Sequence, residues 1–359
     1  MEETNTGRQK ETDMAKGFAI IFMIWVHVLL ECTAGHDLGV WPMLVDDIFG
    51  GPFAAPVFMV CLGIGICYGR NVAPGSLAKR GFKLLVIGFV LNVIRFLIPD
   101  IITGYLRYGR FCPEIPFDDM VNCDILMFAG LAFIAFAVLK KLNVPDTGLL
   151  IVGIGASVLG TCIRWMNTGI PFLDNFLGFF WGTGRESYFP LLTWFLFPVF
   201  GYLFGRRIRR CSDKKTFYLL LAPVCLVTGI AYVAVCERYQ VGMFSQASNY
   251  YYMGTADAAF NCVLTVGVFG VDYALAAAGK KVSVKFSFFD RISRNINSIY
   301  CIHWTLIGIF GILQEFVLKK DSLSFGEVTV LSLVLLILSD IFAELYRTFK
   351  EKRKARRQQ

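Results

Sequence analysis

Ten stretches of 17 or more residues, each dominated by Leu, Ile, Val, Phe and Ala, recur along this chain and decide what it can fold into. They lie near 17–35, 52–69, 81–99, 122–139, 147–165, 188–205, 216–236, 255–279, 295–318 and 327–346. One water-soluble core cannot bury so many long apolar segments, whereas a bilayer core about 30 Å thick is crossed by roughly 20 helical residues. Within hydrocarbon every backbone N–H and C=O must be bonded inside the segment, so each stretch is expected to be a helix. The 359 residues are 56% hydrophobic and only 17% charged, with a mean hydropathy of +0.58. That leaves too little charge to keep the apolar runs in water and excludes secreted, fibrous and disordered classes. The expected fold is an all-α polytopic membrane bundle of about ten transmembrane helices.

The formal charge of +8 is sorted along the chain. With the N-terminus inside, 27 of the 35 Lys and Arg fall on the inner side and eight on the outer, so both termini are expected to be cytoplasmic. Residues 1–346 read as one membrane-embedded domain and 347–359 as a basic cytoplasmic tail. The tail suits anionic lipid, and nothing in it demands nucleic acid. The lipid bilayer is the expected environment, most simply that of the plasma membrane, and homo-oligomerisation is left open. The first helix does not read as a cleaved signal, because it carries His27 and Glu31 and lacks a small-residue cleavage pattern. Most of the eleven Cys occupy apolar helical positions, where sulfur packs like a hydrocarbon. Cys112 and Cys123 share one outer connection and could pair in an oxidising compartment. No Cys-x-x-Cys pattern is present, and no metal site is expected.

Chemistry is narrowed by the scarcity of histidine. Of three, His27 and His303 each fall about ten residues into a helix running from the inner to the outer face, roughly 15 Å from the inner boundary. An ionisable group at that depth usually lines a cavity or pathway, the alternative being a neutral imidazole bridging two helices. Glu31 follows His27 by one turn on the same face, where a carboxylate can orient or charge-assist an imidazole. Lys16 precedes His27 by eleven residues on nearly the same face, about 16 Å lower. A cation at the mouth, a base halfway and a carboxylate above suit an anionic cofactor delivering a group outward, and equally a proton-coupled transporter or lipid-carrier exporter with His27 and His303 as a relay. His36, beside Asp37 in the outer connection, is a candidate base for preparing an acceptor, or simply a solvated loop residue. Arg70, Lys79, Arg80 and Lys83 cluster at the inner end of the third stretch. There they satisfy the positive-inside rule, or hold the phosphates of a nucleotide-bearing donor. Gly63, Gly65 and Gly69 read as small residues for close helix packing, and Arg95 and Arg164, near outer helix ends, as snorkelling side chains.

Four stretches resemble the multi-pass acyltransferases that include acyltransferase family 3 and the catalytic part of heparan-alpha-glucosaminide N-acetyltransferase. The first runs from Asp13-Met14-Ala15-Lys16-Gly17 to His27, similar to a family opening in which Arg stands where Lys16 is here. The second is Pro56-Val57-Phe58, ending in Leu62-Gly63 where the family usually has Ser-Gly. The third is Asp124-Ile125-Leu126 with Gly130-Leu131, followed by Phe189-Pro190-Leu191-Leu192-Thr193-Trp194 and closing on Gly201 and Gly205. The last is Ser298-Ile299-Tyr300-Cys301-Ile302-His303-Trp304. Their order along the chain is more specific than any one of them. The resemblance implies transfer of an acyl group, acetyl being the expected one, from cytoplasmic acyl-CoA to an extracytoplasmic acceptor, commonly a carbohydrate or glycoconjugate hydroxyl or amine. It assigns the family histidine to His27 and its basic partner to Lys16, while the heparan enzyme's loop histidine has its nearest counterpart in His36. Direct transfer and an acyl-histidine relay both remain open. The residues expected to carry the reaction are therefore His27, Glu31, His36 and His303, with Lys16, Arg70, Lys79, Arg80 and Lys83 on acetyl-CoA.

Overall fold

A helix occupies most of each apolar stretch in the computed structural model, which describes residues 3–33, 39–110, 121–184, 187–242, 250–281 and 287–356. We number the long helices α1 (Lys10–Cys32), α2 (Ala55–Cys67), α3 (Pro74–Tyr108), α4 (Ile125–Lys141), α5 (Asp146–Ile163), α6 (Leu196–Arg209), α7 (Lys214–Tyr239), α8 (Thr255–Lys281), α9 (Ile296–Leu318) and α10 (Phe325–Arg356). Among the described residues there is no strand. Eight helical units are long and apolar enough to cross a membrane, α2 counting together with the short helical stretch that leads into it from Val40. α4 and α6 are shorter, at 17 and 14 residues. Along α7, Leu219, Leu220, Val224, Leu226, Val227 and Ile230 are exposed over more than half their surface. Such a face would associate or aggregate in water and is at home against lipid.

The hub is α1, which touches α2, α8, α9, α10 and the short helix Ser287–Arg294. It starts at Lys10, seven residues before the apolar run, because its polar first turns are buried on partners distant in sequence. Glu11 pairs with Lys214 and accepts from the Tyr218 hydroxyl at 3.3 Å. Asp13 accepts from Ser293 Oγ at 2.6 Å and pairs with Arg8. Buried charges are tolerated only when paired and hydrogen-bonded in this way. At the other end of the chain, Arg291 Nε bridges both Asp340 oxygens, at 2.9 and 3.0 Å, fastening the short helix to α10. α10 itself continues unbroken to Arg356, so the basic residues from Arg347 to Arg356 are helical. Cys123, read as a disulfide candidate, is a buried free thiol that donates to the Phe189 carbonyl at 3.3 Å, and Cys112 lies outside the described residues.

Without a hydrophobic drive between helices in lipid, close approach depends on small residues. α2 and α6 meet through Gly63 and Gly201: an added Cβ at Gly63 would stand 1.9 Å from the Pro198 oxygen, and one at Gly201 2.0 Å from the Val60 oxygen. Both neighbours are backbone, so neither can yield without parting the helices. Gly65, by contrast, has nothing within 4 Å and is not part of this contact. Gly63→Ala and Gly201→Ala are each expected to destabilise by about 3 kcal/mol, at the upper end of overpacking costs, while Gly65→Ala stays within about 1 kcal/mol. Thermal unfolding of the three variants in one detergent checks the contrast; equal midpoints would contradict the crossing.

Candidate active site

Four helices bring their functional side chains to one cavity of about 330 Å³ near the end of the bundle where α1 finishes. α1 supplies His27 and, one turn on, Glu31; α9 supplies Tyr300 and Trp304, four residues apart, with His303 between them in sequence but outside the cavity lining. α3 supplies Arg95 from a π-helical stretch, Val93–Leu97, and Asp124 stands at the N-cap of α4. The remaining wall comes from connections: Asp46, Gly50 and Gly51 before α2, Tyr188 and Phe189 before α6, Tyr250 and Tyr251 before α8. The apolar side is made by Met23, Val26, Ala54, Ala55, Phe58 and Ile125. A concave site of this size with a few convergent polar groups is the usual form of a small-molecule site.

The two membrane histidines meet. His27 Nδ1 lies 3.0 Å from His303 Nε2, and His303 Nδ1 lies 3.1 Å from the Ile299 carbonyl. A carbonyl can only accept, so His303 Nδ1 carries its proton; in a neutral ring Nε2 is then the lone pair. His27 must therefore donate from Nδ1, which leaves its own Nε2 unprotonated and, among the described residues, without a protein partner. His303 is fully buried, whereas His27 is only partly covered and forms cavity wall. The Trp304 ring packs 4.3 Å from the His27 ring, centroid to centroid, and fixes its tilt.

Arg95 also packs on Trp304, its guanidinium carbon 3.2 Å from the indole centroid. Snorkelling does not describe it: the side chain is 8% exposed and stands between Glu31 Oε1 at 3.6 Å and Asp124 Oδ2 at 3.7 Å. The other Asp124 oxygen accepts from the Tyr300 hydroxyl. Glu31 thus reaches the cavity as expected from its place one turn beyond His27, but its partner there is Arg95, and the hydrogen bond orienting His27 comes from His303. At the rim, Tyr250 donates to the Gly51 carbonyl at 3.0 Å. Burial raises the Tyr250 and Tyr251 phenols above their ordinary range, so both remain hydroxyl donors at neutral pH.

The expected donor-binding residues lie apart from the cavity. Lys16 is on α1 eleven residues before His27, 3.8 Å from Asp13. Arg70, Lys79, Arg80 and Lys83 are exposed before and along the first turns of α3, with Arg80 also stacked 4.4 Å over Phe133. His36 lies outside the described residues. Among the described residues no cluster of His, Cys, Asp and Glu has the arrangement of a metal site. Sequence reasoning missed Arg95, Asp124, Tyr300 and Trp304 as site residues. Arg95 was hidden by a boundary: the apolar stretch ends near residue 99, yet α3 runs on to Tyr108, so Arg95 sits well inside the helix. Asp124 is hidden by its second role, since an Asp before an apolar run signals a helix start and nothing more.

The cavity in this helical bundle thus gathers His27, hydrogen-bonded to His303 behind it, and the buried Arg95. The acyltransferase domain of acyltransferase family 3 matches residues 10–344, nearly the whole chain, and the protein belongs to that family. It is an integral, multi-pass membrane acyltransferase. No curated protein matches the chain significantly. The proton relay that a transporter would need also calls for the His27–His303 pair, and family membership decides between the two readings in favour of acyl transfer.

Proposed function

We propose that the protein moves an acyl group, acetyl being the expected one, from cytoplasmic acyl-CoA to a hydroxyl or amine of an extracytoplasmic carbohydrate or glycoconjugate. The observation that carries this reading is the hydrogen-bonded chain from the Ile299 carbonyl through His303 to His27, which leaves the His27 Nε2 lone pair free at the cavity wall. A base so placed takes the proton of the acceptor as it attacks the thioester carbonyl and returns it to the departing CoA sulfur. His303 holds the tautomer throughout, as the orienting member of a catalytic triad does.

The donor's phosphates belong with the inner basic residues Arg70, Lys79, Arg80 and Lys83, and Lys16 on the same face of α1 as His27 marks the route upward, about 16 Å along the helix. A phosphopantetheine arm covers a comparable length. At the other end of the site, Tyr188, Tyr250 and Tyr251 offer ring faces and hydroxyls, and Glu31 and Asp46 offer acceptors, a combination that suits a polyhydroxylated ring. His36 remains the outer candidate for preparing the acceptor. The termini are expected on the cytoplasmic side, and the cell membrane is the expected location.

The test uses purified protein in lipid nanodiscs with acetyl-CoA labelled on the acetyl group. CoA at 100 times its dissociation constant is expected to stabilise the protein by about 2.7 kcal/mol, read as a raised unfolding midpoint, and label is expected to leave the thioester. An unmoved midpoint at millimolar CoA, with the thioester intact, contradicts the reading.

A further inference from the structure

We propose that Arg95 is a catalytic residue whose guanidinium receives the negative charge that develops on the thioester carbonyl oxygen during acyl transfer; this rests on the reading of the site as an acyltransferase. Arg95 has five N–H donors, yet among the described residues none makes a hydrogen bond, and its buried Nε has no partner. Its two carboxylate neighbours, Glu31 and Asp124, stand at 3.6 and 3.7 Å, close enough to hold a cation in place and too far to occupy its donors. A buried donor left unsatisfied costs stability, and such groups in folded proteins call for an explanation. Here the explanation lies in position. The guanidinium lies against one ring, Trp304, that also packs on His27, so base and cation face the same cavity from neighbouring walls. The π-helical stretch Val93–Leu97 that carries Arg95 is a backbone device often found at functional sites.

The step balances as follows. The acceptor oxygen or nitrogen forms a bond to the acyl carbon while His27 Nε2 takes its proton, and the carbonyl π electrons move to oxygen beside Arg95. The oxyanion then re-forms the carbonyl, the carbon–sulfur bond breaks, and the CoA thiolate takes the proton from the His27 imidazolium. Arg95 gains its hydrogen bonds only as the charge appears, which is what makes such a donor accelerate the reaction instead of merely binding substrate.

S-carboxymethyl-CoA, which carries a carboxylate one carbon beyond the position of the reacting carbonyl and so presents negative charge at the acyl end, reads this, with plain CoA as the reference ligand. Arg95→Gln is expected to weaken carboxymethyl-CoA binding about 30-fold and leave CoA binding within threefold, and to lower acetyl-CoA turnover about 10²-fold. Arg95→Lys, which keeps the charge and loses the planar fork, is expected to fall between and serves if the Gln variant does not fold. Equal loss of both ligands, or no loss of carboxymethyl-CoA affinity while CoA still binds, overturns the assignment of Arg95 alone. A wild-type protein that binds neither ligand overturns the acyl-transfer reading beneath it.

Discussion

Replacing His27 by Gln is expected to lower acyl-transfer turnover by about 10³-fold while leaving CoA affinity within a few-fold. The size follows from the role. General-base catalysis contributes about 10² to 10⁴ in rate, and a thousandfold loss corresponds to about 4 kcal/mol of barrier. Gln matches the imidazole in reach and can still donate to His303, so the packing against Trp304 and the fold are retained while the basic lone pair is lost. CoA affinity is spared because the expected phosphate-binding residues are elsewhere, on α3 and near the start of α1. Turnover of labelled acetyl-CoA by the two proteins, measured beside their CoA-induced thermal shifts, separates the outcomes. A Gln variant with wild-type turnover removes His27 from the chemistry.

The second large effect is at His303, which is not among the residues lining the site cavity and yet orients one that is. Its Nε2 is the acceptor that keeps the His27 proton on Nδ1, so His303→Ala lets the His27 ring rotate or change tautomer and is expected to cost about 10²-fold in turnover. His303→Gln offers an amide oxygen to the same proton and is expected to recover most of that loss. A purely structural role predicts a different pattern, in which both variants lose thermal stability in proportion to activity and the Gln variant has no advantage. Since His303 is fully buried beside Tyr300 and Trp304, the Ala variant also leaves a cavity worth about 2 to 4 kcal/mol, so its unfolding midpoint must be read alongside its rate.

Much of this was readable before any coordinates, and the gaps have particular causes. Hydropathy located every long helix, because apolar runs report contact with lipid and neighbouring helices. It misjudged helix ends wherever polar residues are satisfied by partners far along the chain. Glu11 and Asp13 look like solvated arm residues until Lys214, Tyr218 and Ser293 are seen to cover them, more than 200 residues away. The same error at the far end of α3 placed Arg95 near lipid headgroups, where snorkelling would be ordinary, when its real surroundings are two carboxylates and an indole. His27 stood out because an ionisable residue one turn before Glu31 in an apolar helix is costly without a use. Its bond to His303 could not be read, since 276 residues separate the two and no local pattern encodes that meeting. Glu31 was legible as a site residue through its spacing, while its pairing with Arg95 depended on how α3 packs beside α9.

The chemistry proposed for this protein requires that the His27 ring nitrogen facing the cavity be unprotonated. The chain has only three histidines, so nitrogen-15 labelling of histidine alone gives a spectrum that His27→Gln and His303→Gln assign residue by residue. In lipid at neutral pH the His27 resonances are expected to show a protonated Nδ1 and a bare Nε2, with His303 in the same tautomer. A His27 that carries its proton on Nε2 has no base to offer the acceptor, and finding it so would contradict the mechanism.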